Sequence, residues 1–312
     1  MNATPESTLH VWLPALPAAG QRGPLALALR RANRMADGRP GYLNGLGDYF
    51  NGADGVAVDS TLPAAAITRQ HLAQDADGYA WLSADPAWVQ PEMTGARLLA
   101  CGHMQLTHEE AEAFADALRP ALDDAGMELH LSTPDRWHLR LPPDTRLPQL
   151  AAPEQALGEN LSEHLPAGAE GRPWRILLND IQVLLHQHPL NSARQNRGVA
   201  PLNSLWLWGG GTLPPRFRSG LKGVISDDLL LTALAVQAGV NARPRTPAAI
   251  AAASRGWLID LQDLPFSEIE SRWWPLIAPL LAQQPVRLHF ASAERWQSQP
   301  WHRWRVWRRV AP

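Results

Sequence analysis

Between residues 224 and 290, short apolar runs alternate with segments that have the spacing of helices. The runs predicted to be strands are residues 224–226, 240–242, 257–261 and 286–290. Strands joined through helices pair in parallel, because a helical crossover returns the chain to the same end of the sheet. The alternation therefore predicts an α/β fold with a mostly parallel sheet core and helices on both faces. An apolar run at residues 9–13 is predicted to supply a first strand of this core.

Residues 85 to 141 have a different pattern, which is typical of a compact α+β unit. Thr107 and Glu110 have the spacing of a capping box and predict that a helix begins there. Alternating apolar residues on either side of residues 132–135 predict a hairpin. We therefore expect two domains. The α/β core domain takes residues 1–84 and 201–312, and the α+β insert domain takes residues 85–200.

The composition is that of a globular protein without a general affinity for polyanions or membranes. Hydrophobic residues make up 45% of the 312 residues, and the formal net charge is −2. No apolar run approaches the roughly 20 residues that a membrane helix needs, and no secretory signal is recognisable. We therefore expect a cytoplasmic protein. Cys101 is the only cysteine, which excludes an intrachain disulfide and a cysteine-based zinc site.

The C-terminal residues 301–309 interleave three tryptophans with arginines. Such a pattern can bind single-stranded nucleic acid, since bases stack on aromatic rings and arginines bind phosphates. It also suits a short edge strand whose tryptophans cover the core. We favour the edge strand, predicted at residues 304–308, and do not expect a nucleic-acid partner.

Residues 174 to 211 hold the densest run of hydrogen-bonding and aromatic side chains in the chain. Apolar residues recur at helical spacing from Trp174 to Leu185, and Pro173 and Pro189 set the ends of the predicted helix. A short apolar strand at residues 205–208 then runs into three glycines. Glycines at the end of a strand allow close approach of a backbone or a ligand.

Six side chains of this stretch are predicted to bind a substrate or ligand. They are His188, Asn191, Arg194, Arg197, Asn203 and Trp208. Arginine offers a planar fork that matches phosphate or carboxylate, and the neighbouring amides can fix its orientation. The alternative is that these residues join two lobes by salt bridges and loop hydrogen bonds. For His186 and His188 we prefer hydrogen bonds to free carbonyls at the helix end over metal binding.

The sequence of residues 188–211, HPLNSARQNRGVAPLNSLWLWGGG, resembles a segment of the archaeal-type cofactor-independent phosphoglycerate mutases. The likeness continues through residues 217–240, FRSGLKGVISDDLLLTALAVQAGV. It is closer still to a bacterial offshoot, the RpfE-type regulatory proteins. The resemblance implies a fold of the alkaline phosphatase superfamily and, as ligand, a phosphorylated acid.

The resemblance also implies a two-metal centre with aspartate and histidine ligands and a hydroxyl nucleophile. In the mutases the first strand ends at a metal-binding aspartate, whereas Pro14 and Ala15 stand at that place here. Where the family has its late ligands, this chain offers only Asp260 and Asp263. The sequence therefore predicts loss of the metal centre.

We expect from this a phosphoglycerate mutase-like protein without catalytic residues, metal or cofactor. In this hypothesis it acts as a regulatory or binding protein for a small phosphorylated metabolite or a protein partner. The alternative is an active phosphotransfer enzyme, of the mutase or phosphatase type, with a rearranged site.

Overall fold

The computed structural model describes residues 7–17, 23–53, 57–93 and 95–305. The chain divides into two compact units. Unit 1 takes Met1–Asp59 and Pro215–Pro312, and unit 2 takes Ser60–Pro214. Both contain helices and strands, so the fold is mixed α/β.

The strands of the described residues are numbered in chain order. They are β1 (Leu9–Leu13), β2 (Asn33–Arg34), β3 (Phe50–Gly52), β4 (Ala80–Glu92), β5 (Gly95–Cys101), β6 (Glu128–Thr133), β7 (Arg136–Leu141), β8 (Ser204–Thr212), β9 (Phe217–Ser219), β10 (Gly223–Ile225), β11 (Asn241–Arg243), β12 (Trp257–Asp260), β13 (Val286–Phe290) and β14 (Arg295–Ser298).

The α-helices of the described residues are numbered in the same way. They are α1 (Pro24–Arg31), α2 (Tyr42–Leu46), α3 (Ala64–Ala73), α4 (His108–Asp124), α5 (Pro153–Ala156), α6 (Arg172–His186), α7 (Leu190–Asn196), α8 (Leu229–Gln237), α9 (Pro247–Ala251), α10 (Phe266–Glu268) and α11 (Trp274–Gln283). A π-helical turn, Ile269–Trp273, joins α10 to α11, and 3-10 turns lie at Leu161–Glu163 and Pro300–Trp304.

The main sheet of unit 1 has the strand order β11-β10-β12-β1-β13-β14-β2. The neighbours from β11 to β13 are parallel, and β14 and β2 add antiparallel pairs at one edge. The strands predicted from the alternating pattern therefore form the parallel part of this sheet. The edge strand β14 was not predicted, because four residues without regular alternation carry a weak strand signal.

One face of this sheet is apolar. Leu9, Val11 and Leu13 of β1 alternate onto it and pack in a cluster with apolar residues of β10, β12 and β13. Ile250 of α9 and Ile277 of α11 belong to the same cluster and are fully buried. Since side chains alternate along a strand, the residues between these leucines and valines lie on the opposite face.

Unit 2 is built on an antiparallel sheet with the order β5-β4-β7-β6, and β8 pairs with the long strand β4. Its core joins α4 and α6 to this sheet. The predicted capping box is present, since the side chain of Thr107 accepts a hydrogen bond from the N–H of Glu110 and the Glu110 side chain accepts one from the N–H of Thr107. The predicted hairpin is also present, as β6 and β7.

The glycines at the end of β8 pass close to the start of α3. A Cβ atom on Gly209 would lie 2.9 Å from the Cβ of Ala64, and one on Gly211 would lie 2.8 Å from that of Pro63. Gly209 also has a φ of +63°, which disfavours other residues. The glycines therefore allow a close backbone approach, one of the two roles that the sequence suggested.

One local prediction was wrong. Instead of an edge strand, Pro300–Trp304 form a 3-10 turn in which Trp301 and Trp304 are 56% and 66% exposed. The remainder of that predicted strand, residues 306–308, lies outside the described residues.

Among the described residues, no helix combines the length and the apolar character needed to cross a membrane.

Candidate ligand site

A row of polar and aromatic side chains crosses the second face of the unit 1 sheet near the carboxyl ends of its parallel strands. Trp12 of β1 is paired in register with Asp260 of β12 on one side and with His289 of β13 on the other. His289 is in turn opposite Arg295 of β14. Ser226 follows β10, next to Asp260. Residues in register on neighbouring strands share a face, so these five side chains form one row.

The connections that leave β10 and β12 run toward opposite edges of the sheet. β10 leads through α8 to β11 on one side, whereas β12 leads through α10 and α11 to β13 on the other. Where connections diverge in this way, a crevice opens at the carboxyl ends of the strands, and open α/β sheets bind ligands there. Ser226 and Asp260 lie at this position of the sheet, and both side chains are buried.

Asp260 is fully buried, and its carboxylate is held by hydrogen bonds from its neighbours. The hydroxyl of Ser226 donates to Oδ2 at 2.7 Å, and the N–H of Gln262 donates to Oδ1 at 3.2 Å. Burial raises the pKa of Asp260 to about 7, and the negative charge of Asp228 contributes in the same direction. A carboxyl with this pKa is a mixture of acid and carboxylate at neutral pH.

Asp228 links this pair to helices on the same face. Its Oδ1 accepts the N–H of Leu231 at 2.7 Å and thereby caps α8. The same atom accepts a hydrogen bond from the hydroxyl of Tyr42, whose ring stacks on Trp12 with centroids 5.6 Å apart. The N–H of Asp228 donates to Ser226 Oγ at 2.9 Å.

Arg245 neutralises the other carboxylates near the crevice. It donates two hydrogen bonds to Asp263, at 2.5 and 2.7 Å, and one to the main-chain oxygen of Asp260 at 3.1 Å. Its Nε lies 3.4 Å from Asp227. Burial lowers the pKa of Arg245, but its contacts with Asp263 outweigh this and leave the pKa above its ordinary value. Arg245 therefore stays charged and paired.

At the other end of the row, two histidines are buried beside Tyr49. His10 Nδ1 and His289 Nε2 lie 3.3 Å apart, and the Tyr49 ring meets both histidine rings at centroid distances of 5.5 Å. Burial lowers the pKa of His289 well below its ordinary value, so this histidine is neutral near pH 7. Burial likewise raises the pKa of Tyr49, which remains a neutral hydroxyl.

The residues present do not fit a two-metal centre. Such a centre needs a cluster of carboxylate and imidazole ligands around two ions about 4 Å apart. Asp260 is bonded to Ser226, and Asp263 is paired with Arg245. In the described part of the chain, no three histidine, cysteine, aspartate or glutamate side chains are grouped so that they could hold a metal ion.

The six residues predicted to bind a ligand all belong to unit 2, whereas the row of side chains described above belongs to unit 1. Arg194 is fully buried, and its donors reach the carboxylate of Glu110 at 2.8 Å and the carbonyl oxygens of Met104 and Ala200 at 2.5 and 3.0 Å. Arg197 is half exposed and pairs with the second oxygen of Glu110. Salt bridges and loop hydrogen bonds of this kind were the alternative to ligand binding. They join elements within one unit, however, and not two lobes.

The two predicted amides are engaged with the main chain. Asn191 donates to the carbonyl oxygens of Leu185 and Leu202 at 2.7 and 2.8 Å and accepts the N–H of Leu202 at 2.8 Å. Asn203 bonds to both the N–H and the carbonyl of Val89, at 2.8 and 2.7 Å. Asn203 thus continues the ladder between β8 and β4 with its side chain.

The predicted aromatic residues also have internal partners. The indole N–H of Trp208 donates to the buried carboxylate of Asp85 at 2.8 Å, and Arg136 donates to the same oxygen at 2.8 Å. His188 Nδ1 accepts the N–H of Leu190 at 3.3 Å, and its ring packs on Phe114. A direct role of these six residues in ligand binding stays a prediction.

Sequence reasoning missed most of the row in unit 1. Asp260 was noted only because it lies where the resemblance places late ligands, and Ser226 was assigned to the end of a strand. Polar residues that directly follow predicted parallel strands were a usable signal, because such strand ends meet at one edge of a sheet. Tyr49 and Arg295 carried no comparable signal.

No model of a known protein family matches the sequence. The chain is 33% identical over 145 residues to the 2,3-bisphosphoglycerate-independent phosphoglycerate mutase of Methanothrix thermoacetophila, which covers 45% of this chain and 36% of that protein. It is 30% identical over 149 residues to the protein of the same name from Methanosarcina barkeri, with 46% and 37% covered. The chain thus spans about a third of the length of these relatives.

Two solved structures are similar over most of the chain, at low scores. The PH0037 protein of Pyrococcus horikoshii matches with a TM-score of 0.49 and 12% identity, covering 94% of this chain and 88% of that one. The cofactor-independent phosphoglycerate mutase of Thermoplasma acidophilum matches with a TM-score of 0.36 and 15% identity, covering 94% and 89%. The sequence comparisons confirm the predicted resemblance to phosphoglycerate mutases over just under half of the chain.

Proposed function

We propose that this chain is a phosphoglycerate mutase-like protein that binds a small phosphorylated acid without transferring its phosphoryl group. The proposed ligand site is the crevice at the carboxyl ends of the parallel strands in unit 1. The identity of the ligand class rests on the named relatives, which are phosphoglycerate mutases.

One observation carries the non-catalytic part of this proposal. Asp260, the buried carboxylate at the crevice, is hydrogen-bonded to Ser226 and has a pKa raised by burial to about 7. Its Oδ2 accepts the Ser226 hydroxyl, and among the described residues no further carboxylate or imidazole side chains are grouped with it so that they could hold a metal ion. Asp263 is also engaged, because both of its carboxylate oxygens accept hydrogen bonds from Arg245.

A regulatory role follows from binding without turnover. A protein that holds a metabolite and leaves it unchanged can report its concentration by a shift in stability or in affinity for a partner. We therefore include a protein partner in the proposed role.

The test combines binding, metal content and activity on the purified full chain. We expect 3-phosphoglycerate or 2-phosphoglycerate to raise the melting temperature in a concentration-dependent way, whereas glycerate without a phosphate has a smaller effect. Equilibrium dialysis against manganese should show no stoichiometric binding, and mutase and phosphatase assays with added manganese should show no turnover. Stoichiometric metal together with turnover would overturn the proposal.

A second candidate function, a phosphotransfer enzyme with a rearranged site, is favoured by the contact between Ser226 and Asp260. A hydroxyl that donates to a carboxylate of near-neutral pKa resembles an activated nucleophile and its base. Ser226 is 4% exposed, so this reaction would require the crevice to open. If turnover is found, Ser226→Ala should abolish it; turnover that survives in this variant excludes Ser226 as the nucleophile.

A further inference from the structure

A small cavity lies beside the row of polar side chains, and Tyr49 forms part of its wall. Tyr49 is 4% exposed, and its hydroxyl has no hydrogen-bond partner among the described residues. An unbonded buried hydroxyl is unfavourable, so such a group usually meets a water molecule or a ligand. The position of Tyr49 therefore points to an occupant of the cavity that can accept a hydrogen bond.

The dimensions of the cavity limit what can enter it. The volume that the centre of a water-sized sphere can occupy is about 10 Å³, and all the empty space of the cavity, open solvent included, is about 250 Å³. The cavity therefore has room for roughly one water-sized group. A ligand could therefore place a single oxygen atom in the cavity while the rest of it lies at the mouth.

The charged residues of the wall favour an anion. Arg39 and Arg295 both line the cavity, with Asp48 as the carboxylate beside them. Asp48 forms an ion pair with Arg295, whereas Arg39 is exposed and forms no ion pair with any described residue. His289, which also lines the cavity, is neutral because burial lowers its pKa. Two guanidinium groups and one carboxylate leave an excess of one positive charge.

We propose that this cavity is an oxyanion site, in which one oxygen of a phosphate group accepts a hydrogen bond from Tyr49 while Arg39 and Arg295 bind the others. This assignment rests on the proposed function for the class of the whole ligand, and names the part of unit 1 that holds its phosphate. Guanidinium groups bind phosphate through paired, charge-assisted hydrogen bonds, which suits a site at a half-open mouth.

Asp48 has a defined part in this site. Its carboxylate accepts a hydrogen bond from Arg295, as an oxygen of the phosphate would. The incoming anion and Asp48 compete for the same donors, and their charges repel each other. Asp48 therefore weakens phosphate binding, and removing its charge should strengthen it.

Isothermal titration calorimetry of the full chain with inorganic phosphate tests the site directly. Tyr49→Phe and Arg39→Gln should each weaken phosphate binding by roughly tenfold or more, since each removes one contact to a charged group. Asp48→Asn should strengthen it severalfold. Arg30→Gln is the matched control, because Arg30 is an exposed arginine on α1 that does not line the cavity.

These variants are expected to fold. Arg39 is exposed, and Tyr49→Phe removes a hydroxyl that has no partner among the described residues, so its melting temperature should equal or exceed that of the parent. Circular dichroism melts check this before binding is compared. Equal phosphate affinity in the parent, Tyr49→Phe and Arg39→Gln would overturn the assignment.

A parallel titration with 3-phosphoglycerate separates this inference from the proposed function. If 3-phosphoglycerate binds the parent and both variants equally, the proposed function stands and the oxyanion site is wrong. If phosphate binding depends on Tyr49 and Arg39 but 3-phosphoglycerate binds no more tightly than phosphate, the site stands and the proposed ligand class is wrong. Absence of binding by both compounds overturns both.

Discussion

The guanidinium of Arg194 lies 2.8 Å from the carboxylate of Glu110, and both side chains are buried in unit 2. Glu110 also completes the capping box at the start of α4, so one carboxylate joins the first turn of that helix to α7. Burial raises the pKa of Glu110, but the hydrogen bond from Arg197 and the charges of both arginines outweigh it and hold the pKa below its ordinary value. This pair therefore stabilises the folded unit in the pH range where Glu110 is ionised.

Replacing Arg194 by Ala should destabilise unit 2 strongly, because Glu110 would stay buried without its closest partner. Breaking a buried ion pair in this way costs about 3–5 kcal/mol. Arg197→Ala is the matched control, since Arg197 meets the same carboxylate from a side chain that is 52% exposed. An exposed pair contributes about 0–1 kcal/mol.

Urea denaturation followed by circular dichroism measures both changes. An Arg194→Ala protein as stable as the parent would contradict the structural role of this arginine and return it to the list of candidate ligand contacts.

Asp260 should make the stability of unit 1 depend on pH. Its pKa is raised from the ordinary value near 4 to about 7 in the folded protein, so the folded state binds this proton more tightly than the unfolded state. The stabilisation is present in full below about pH 4 and is lost as the pH rises through 7. The difference between the two pKa values corresponds to roughly 4 kcal/mol.

Asp260→Asn removes this ionisation and keeps the size of the side chain. We expect the free energy of unfolding of the variant, relative to the parent, to increase by roughly 4 kcal/mol between pH 4 and pH 8. Asp124→Asn, at an exposed position of α4, serves as the control and should show no such trend. Parallel stability curves for Asp260→Asn and the parent would show that Asp260 does not titrate in this range.

Cys101 should react slowly with thiol reagents in the native protein. It is 7% exposed, and burial raises its pKa well above the ordinary value, which reduces the fraction of reactive thiolate. Labelling with an aromatic disulfide reagent at pH 8 should proceed much more slowly in buffer than in 6 M urea, in which the whole population reacts at once. Stoichiometric labelling of the native protein within the mixing time would mean that the thiol is accessible in the folded protein, contrary to its burial.

Local features of this chain were predictable because their causes are local. The capping box needs only Thr107 and Glu110 three residues apart, and Gly126 after α4 has the positive φ of +73° that a helix end requires. The strand β13 was predicted at its observed bounds, since five residues with apolar alternation before a turn define a strand locally.

The candidate site was not predictable in the same way, because its contacts depend on strand order. Ser226 and Asp260 are 34 residues apart and meet only because β12 lies beside β10 and not beside β11. The distance between Arg295 and Asp48 along the chain is 247 residues. Burial also cannot be read from the sequence: it shows that residue 194 is an arginine, but not that each of its three guanidinium nitrogens donates to a carbonyl or a carboxylate in a core.

Gly209 offers a last test, which separates backbone strain from steric contact. Its φ of +63° disfavours a side chain by about 1–2 kcal/mol, and a Cβ atom there would also lie 2.9 Å from the Cβ of Ala64. Gly198 has a similar φ of +71°, but a Cβ atom there would meet nothing within 4 Å. Gly198→Ala should therefore lose only the backbone contribution, whereas Gly209→Ala should lose about 1–3 kcal/mol more through overpacking against α3. Chemical denaturation of the two variants gives this difference, and equal losses would mean that α3 moves aside without cost and that the close approach does not constrain β8.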